Sequence, residues 1–151
     1  MEHNNILPVV LAGGKSKRFG EDKSQRQLGS KILIDYILSE IINDFNEVII
    51  VANAPIKHLS SDKITKIEDY KKDLGPLGGI FSAMKWVKDN NKKYQWIITF
   101  PSDTPFFKNK IMDSFLNKIN TKESELFFMK SNEKRHNIFG LWSLDLIDQL
   151  E

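Results

Sequence analysis

The chain has 151 residues, 22 of them basic and 20 acidic, with a formal net charge of +2 and no cysteine. That length suits one domain with a sizeable core, the charge balance leaves no whole-chain field for nucleic acid, and the lack of thiols excludes disulfides, zinc–thiolate centres and cysteine nucleophiles. The opening MEHNNILPVVLAGG has no basic leader, and no stretch reaches the roughly 20 apolar residues that span a bilayer, so a cytoplasmic chain with neither a membrane nor a nucleic-acid partner is expected.

Ile6 to Leu11 is a short apolar run ended by Gly13 and Gly14, which predicts a strand buried on both faces, with Pro8 near its start where a missing N–H is best tolerated. Ile32, Leu33, Tyr36, Ile37, Ile41 and Ile42 recur at helical spacing and predict an amphipathic helix over 31–43. EVIIVAN, residues 47–53, predicts a second buried strand, and Ile64 to Ile67 a third, weaker one. LGPLGG, 74–79, reads as a turn cluster before a helix over Ile80 to Val87. QWIITF, 95–100, predicts a fourth strand, broken by PSDTP at 101–105. A helix from Lys108 to Ile119, strands at Leu126 to Met129 and Ile138 to Ser143, and a helix starting near Leu144 complete the series. Trp86, Trp96 and Trp142 fall on core-facing elements and read as packing.

Alternating strands and helices imply an α/β fold, a mostly parallel sheet with helices on both faces. Ligands of such sheets bind beyond the carboxyl ends of the strands, where strand order reverses. A strand order of 3-2-1-4 would set the loops after the first and fourth strands side by side. Those loops are GGKSKRFGEDK and PSDTP.

Gly13 and Gly14 free backbone N–H groups to approach an anion, while Lys15, Arg18 and Lys23 can add charge-assisted bonds to phosphate oxygens. The same residues also fit a solvated basic loop. Neither the P-loop pattern Gly-x-x-x-x-Gly-Lys-Ser/Thr nor Gly-x-Gly-x-x-Gly is present. Asp103, between Pro101 and Pro105 at the end of an apolar strand, suits a hard cation such as Mg²⁺, which takes one or two carboxylates together with substrate phosphates. An Asx-turn or a helix cap would use it equally well. Asp69 closes the third strand and fits a ribose hydroxyl, a metal or a turn; Asn53 fits a nucleotide contact or an ordinary strand end. His136 lacks a second imidazole at metal spacing, and no Ser/His/Asp or paired-carboxylate arrangement supports hydrolysis.

LAGGKSKRFGEDK, IED ahead of GPLGG, and FPSDTPF, in this order, resemble the molybdenum cofactor guanylyltransferases, the MobA-type nucleotidyltransferases of the sugar-nucleotide pyrophosphorylase superfamily. The family signature Leu-Ala-Gly-Gly-x-x-x-Arg-Met-Gly-x-x-Lys is matched except that Phe19 stands for Met. Pro-Cys-Asp-x-Pro becomes Pro101 to Pro105, and Gly-Pro-Leu-Ala-Gly becomes Gly75 to Gly79. The resemblance implies a three-layer Rossmann-like nucleotidyltransferase fold that transfers GMP from GTP to the phosphate of molybdopterin, giving the guanine dinucleotide and pyrophosphate. It also implies that Leu11, Ala12, Gly13 and Lys23 hold GTP, that Asn53, Asp69 and Gly78 contact it, that Arg18 sits on the phosphates, and that Asp103 binds nucleotide and Mg²⁺. Arg18, Lys23 and Asp103 are then the catalytic set, with no general base.

Two departures bear on the acceptor. Relatives continue through a further strand and helix carrying Asn-x-Asn-Thr-Pro, whereas this sequence ends at Glu151, and their Arg-His-Pro is here Arg135-His136-Asn137. One domain over 1–151, with the family's last strand and helix absent, is therefore expected. Three alternatives stay open: a cytidylyltransferase for the same cofactor, a transferase for another small phosphate acceptor, or a GTP-binding accessory protein without turnover. GTP and molybdopterin are the expected partners, with transient contacts to molybdenum-insertion proteins or molybdoenzyme chaperones.

Overall fold

The computed structural model describes residues 4–12, 27–53, 56–70, 75–101, 113, 117–119, 124–131 and 134–150. The chain runs through β1 (Ile6–Leu11), a two-stranded ribbon of β2 (Gln27–Leu28) and β3 (Lys31–Ile32), α1 (Leu33–Ile41), β4 (Val48–Val51), β5 (Ile64–Ile67) and α2 (Gly75–Asp89). It then forms β6 (Trp96–Pro101), β7 (Leu126–Ser131), β8 (Lys134–Ser143), a 3₁₀ turn at Leu144–Leu146 and the short α3 (Ile147–Leu150).

Six strands make one sheet in the order β5-β4-β1-β6-β8-β7. β1 pairs in parallel with β4 and β6, and β4 with β5, so the first four long strands take the expected 3-2-1-4 order. β8 alone runs the other way, antiparallel to both β6 and β7.

The strands are apolar without alternation because both faces are covered. Val48, Ile49, Ile50 and Val51 of β4 are all buried. Ile6, Val10, Val48, Ile50, Ile98 and Phe100 pack on the α1 side, and Leu7, Val9, Ile49, Val51 and Ile97 pack on the α2 side with Ile80, Ala83, Met84 and Val87. The α1 face at Ile34, Ile37, Leu38 and Ile41 is buried, whereas Ile32 at its start makes no side-chain cap. Packing decides this helix, since each buried Leu or Ile contributes about 1.5–3 kcal/mol against about 1 kcal/mol for a cap. Trp142 is buried, and Trp86 and Trp96 pack half-buried against the two clusters, as the sequence suggested.

Several boundaries differ from those the sequence predicts; among them β7 runs on to Ser131 and β8 starts at Lys134, taking in His136. Residues 31 and 32 belong to β3 rather than to the helix, because Gly29, at φ +65°, lets the chain turn back and pair Leu28 with Lys31. Residues 75–79 are the first turn of α2 rather than a loop before it; Gly75 opens the helix at φ +67°, and its glycine-rich sequence hides the helical period. Of the helix predicted over Lys108 to Ile119, residues 113 and 117–119 are helical and the others lie outside the described residues.

A buried hydroxyl joins the parallel strands to the reversed one. Thr99 Oγ1 accepts from Gly140 N at 3.2 Å and Trp142 Nε1 at 3.1 Å, and its hydroxyl lies 3.3 Å from Gly140 O. At the sheet's opposite edge the Tyr94 hydroxyl donates to Glu47 at 2.8 Å, and burial together with that carboxylate pushes the phenol above its ordinary value. Thr99→Val keeps shape but leaves two buried donors unpaired, so urea unfolding should show a loss of about 1–3 kcal/mol with the circular dichroism spectrum unchanged.

Candidate nucleotide site at the carboxyl edge of the sheet

The register aligns the strand ends. Ile67 lies beside Val51, Val51 beside Leu11, and Leu11 beside Pro101. The ladder continues one step further, where Ala12 N donates to Val51 O and Ala52 N to Ile67 O, both at 2.9 Å. Two residues past this row the sequence reads Asp69, Asn53, Gly13 and Asp103.

Asn53 and Asp69 hold each other. Asn53 Nδ2 donates to Asp69 Oδ2 at 2.7 Å, and Asp69 N donates to Asn53 Oδ1 at 2.9 Å. The amide of Asn53 is thus engaged in orienting Asp69. The second carboxylate oxygen, Asp69 Oδ1, is buried and has no hydrogen-bond partner among the described residues. A buried carboxylate oxygen in that state costs stability unless a donor or a cation meets it.

The first turn of α2 stands against that oxygen. A Cβ at Gly79 would come within 2.9 Å of Leu11 Cδ2, 3.5 Å of Asp69 Oδ1 and 3.6 Å of Val51 Cγ1, so glycine is what lets helix, strand end and carboxylate meet. Gly78 is buried in the same turn, and its carbonyl accepts the Ser82 hydroxyl at 2.7 Å. That hydroxyl in turn accepts from Tyr70 N at 2.7 Å.

The structure therefore brings together Leu11, Ala12, Asn53, Asp69 and Gly78 of the predicted set. Gly13, Arg18, Lys23 and Asp103 lie outside the described residues. β1 and β6 are adjacent and parallel, so the segments that carry them leave from neighbouring strands at one edge. No group of three or more His, Asp or Glu gathers among the described residues. A divalent cation nevertheless suits the donor chemistry here, since such a cation needs few carboxylates when phosphate oxygens complete its shell and one carboxylate oxygen at this edge has no partner among the described residues.

Sequence reasoning missed Ser82. A lone hydroxyl beside Ile80, Ala83, Met84 and Val87, on the face that packs onto the sheet, was the available signal.

An α/β sheet with a glycine-lined carboxylate at the carboxyl edge of its parallel strands defines a nucleotide-handling protein of the doubly wound class. Residues 8–151 match the MobA-like NTP transferase domain. The chain belongs to that family of nucleotidyltransferases.

A probable molybdenum cofactor guanylyltransferase of Halalkalibacterium halodurans is 30% identical over 149 residues, which covers 94% of this chain and 72% of the relative. The molybdopterin-guanine dinucleotide biosynthesis protein A of Archaeoglobus fulgidus superposes with a TM-score of 0.72 at 19% identity, over 95% of this chain and 70% of that one. A Mycobacterium tuberculosis protein solved in complex with manganese superposes with a TM-score of 0.66 at 15% identity, over 97% and 74% of the two chains. At these identities the two structures speak to the fold. No described helix is long and apolar enough to cross a membrane.

Asn53→Asp places a second carboxylate against Asp69 and removes the donor to Oδ2. The pair should share a proton, so the folded state binds protons more tightly than the unfolded one and stability falls as pH rises. Urea unfolding should show this variant weakened by about 1–3 kcal/mol at pH 7 and partly recovered near pH 4.5, relative to the parent at each pH.

Proposed function

We propose that the chain transfers GMP from GTP to the phosphate of molybdopterin, forming molybdopterin guanine dinucleotide and pyrophosphate. The observation that carries this reading is Asp69 Oδ1, a buried acceptor held by Asn53 and approached by Gly79. It sits at the edge where the strands that lead into this family's sequence motifs end, and the likeness to a relative named for this reaction supports the choice of substrates.

An ionised carboxylate only accepts hydrogen bonds. Oδ1 therefore calls for a donor, which the ribose hydroxyls of a nucleotide supply. The basic glycine loop, with Lys23 and Arg18, then lies along the triphosphate, and the first turn of α2 lies by the base. Asp103 would hold the divalent metal, taken here as Mg²⁺, which when bound offsets phosphate charge.

The acceptor phosphate is already ionised near neutral pH and needs no base. Its oxygen forms a bond to the α-phosphorus as the bond from that phosphorus to the bridging oxygen breaks, and pyrophosphate leaves with the electron pair. Holding the two phosphates in line supplies much of the rate, and Lys23 and Arg18 meet the charge that grows on the leaving group. A site of cations and carboxylates suits that chemistry. Such a protein works in the cytoplasm.

Incubating the chain with GTP, Mg²⁺ and molybdopterin should yield the dinucleotide and pyrophosphate, resolved by mass. Transfer from CTP alone would overturn the choice of base, and release of inorganic phosphate in place of pyrophosphate would overturn the reaction. Asp103→Ala should lower turnover at least about 100-fold with the fold intact, as loss of one preorganised electrostatic group does. Lys23→Ala should weaken GTP binding by about 10- to 100-fold, the size of a charge-assisted hydrogen bond, when followed by calorimetry.

A further inference from the structure

Ser82 is 4% exposed, on the face of α2 that packs against the sheet. A hydroxyl there costs stability unless it is bonded, and serine is a weaker helix former than alanine. Helix stability and core packing would both be served by alanine at this position. One bond of the Ser82 hydroxyl instead stays in the first turns of its own helix, and the other reaches the segment that follows β5 beside the candidate site.

The hydroxyl donates to Gly78 O, one turn back in its own helix, and accepts from Tyr70 N, the residue that follows Asp69. It therefore ties together two segments that the chain joins only through residues 71–74. On one side of this tie the Asp69 carboxylate is held by Asn53. On the other, Gly79 leaves room for no side chain: a Cβ there would come within 2.9 Å of Leu11 Cδ2 and 3.5 Å of Asp69 Oδ1. Asn53 fixes the angle of the carboxylate, but nothing in the Asn53 bonds fixes its distance from the helix.

We propose that Ser82 is a positioning residue for nucleotide binding: by pinning the Tyr70 amide to the first turn of α2 it sets where Asp69 Oδ1 stands relative to Gly79 and Leu11. The assignment rests on Asp69 contacting the nucleotide, as proposed above. Ser82 itself touches no substrate. Its removal lets strand end and helix drift apart, so it affects nucleotide affinity more than the chemical step.

The test is a double-mutant cycle read by calorimetry with GTP and MgCl₂ on the 151-residue chain, using the parent, Ser82→Ala, Asp69→Ala and the double variant. Ser82→Ala should weaken GTP binding roughly tenfold, the worth of one hydrogen bond, yet by less than about twofold when Asp69 is already alanine. In the transfer assay it should raise KM for GTP with kcat held within about twofold, and Ser82→Thr, which keeps the hydroxyl, should restore affinity. If Ser82→Ala does not fold, Ser82→Cys enters the same cycle. Equal loss in both backgrounds, or no loss, would overturn the positioning role while leaving the proposed reaction standing. Failure of the parent chain to bind GTP at all would overturn that reaction and this role with it.

Discussion

Parallel pairing in a common register governs everything at the upper edge of this molecule. Four strands end on one line through Ile67, Val51, Leu11 and Pro101, and just past two of them Asn53 and Asp69 meet although they are sixteen residues apart in the sequence. A slip of one residue would exchange the side chains packed on the α1 face with those packed on the α2 face, and the fit of both cores forbids it. Core packing thereby fixes the positions of polar groups that contribute nothing to the core.

Within that frame the polar groups are arranged at some cost. Asp69 carries a buried oxygen with no partner among the described residues, and a group left so counts about 1–3 kcal/mol against folding. The first turn of α2 spends glycine at 75, 78 and 79, where alanine would favour the helix at 78 and 79 by roughly 0.5–1 kcal/mol each. These penalties sit where helix, strand end and carboxylate converge and are offset by the dense layers on either face of the sheet. Such a concentration of locally unfavourable choices supports the ligand role proposed for this edge.

The sheet was largely readable from the sequence because buried parallel strands such as VIIV and WIITF are continuous apolar runs between turn signals. The adjacency of β1 and β6 was readable too, since it follows from one choice of strand order. The ribbon of β2 and β3 was not, because two-residue strands leave no period to detect. The start of α2 was obscured by Gly and Pro, which signal turns in any window. Asp69 and Asn53 were singled out separately, but their mutual bonding is a tertiary fact, since β4 and β5 place residues sixteen apart side by side. Ser82 had no motif at all; its meaning comes from where Tyr70 stands.

The reversed strand has a different bearing on how this architecture can change. Because β8 runs opposite to the other five strands of the sheet, the hairpin it forms with β7 brings Ser131 and Lys134 back to the edge at which β1 and β6 end. Three residues of β8 bulge between the pairs at Gly140 and His136, uncoupling the tip from the ladder below. Lengthening or rewriting that tip would disturb none of the parallel pairings. Evolution could thus alter what is presented opposite the first strand while the wound half of the molecule stays as it is.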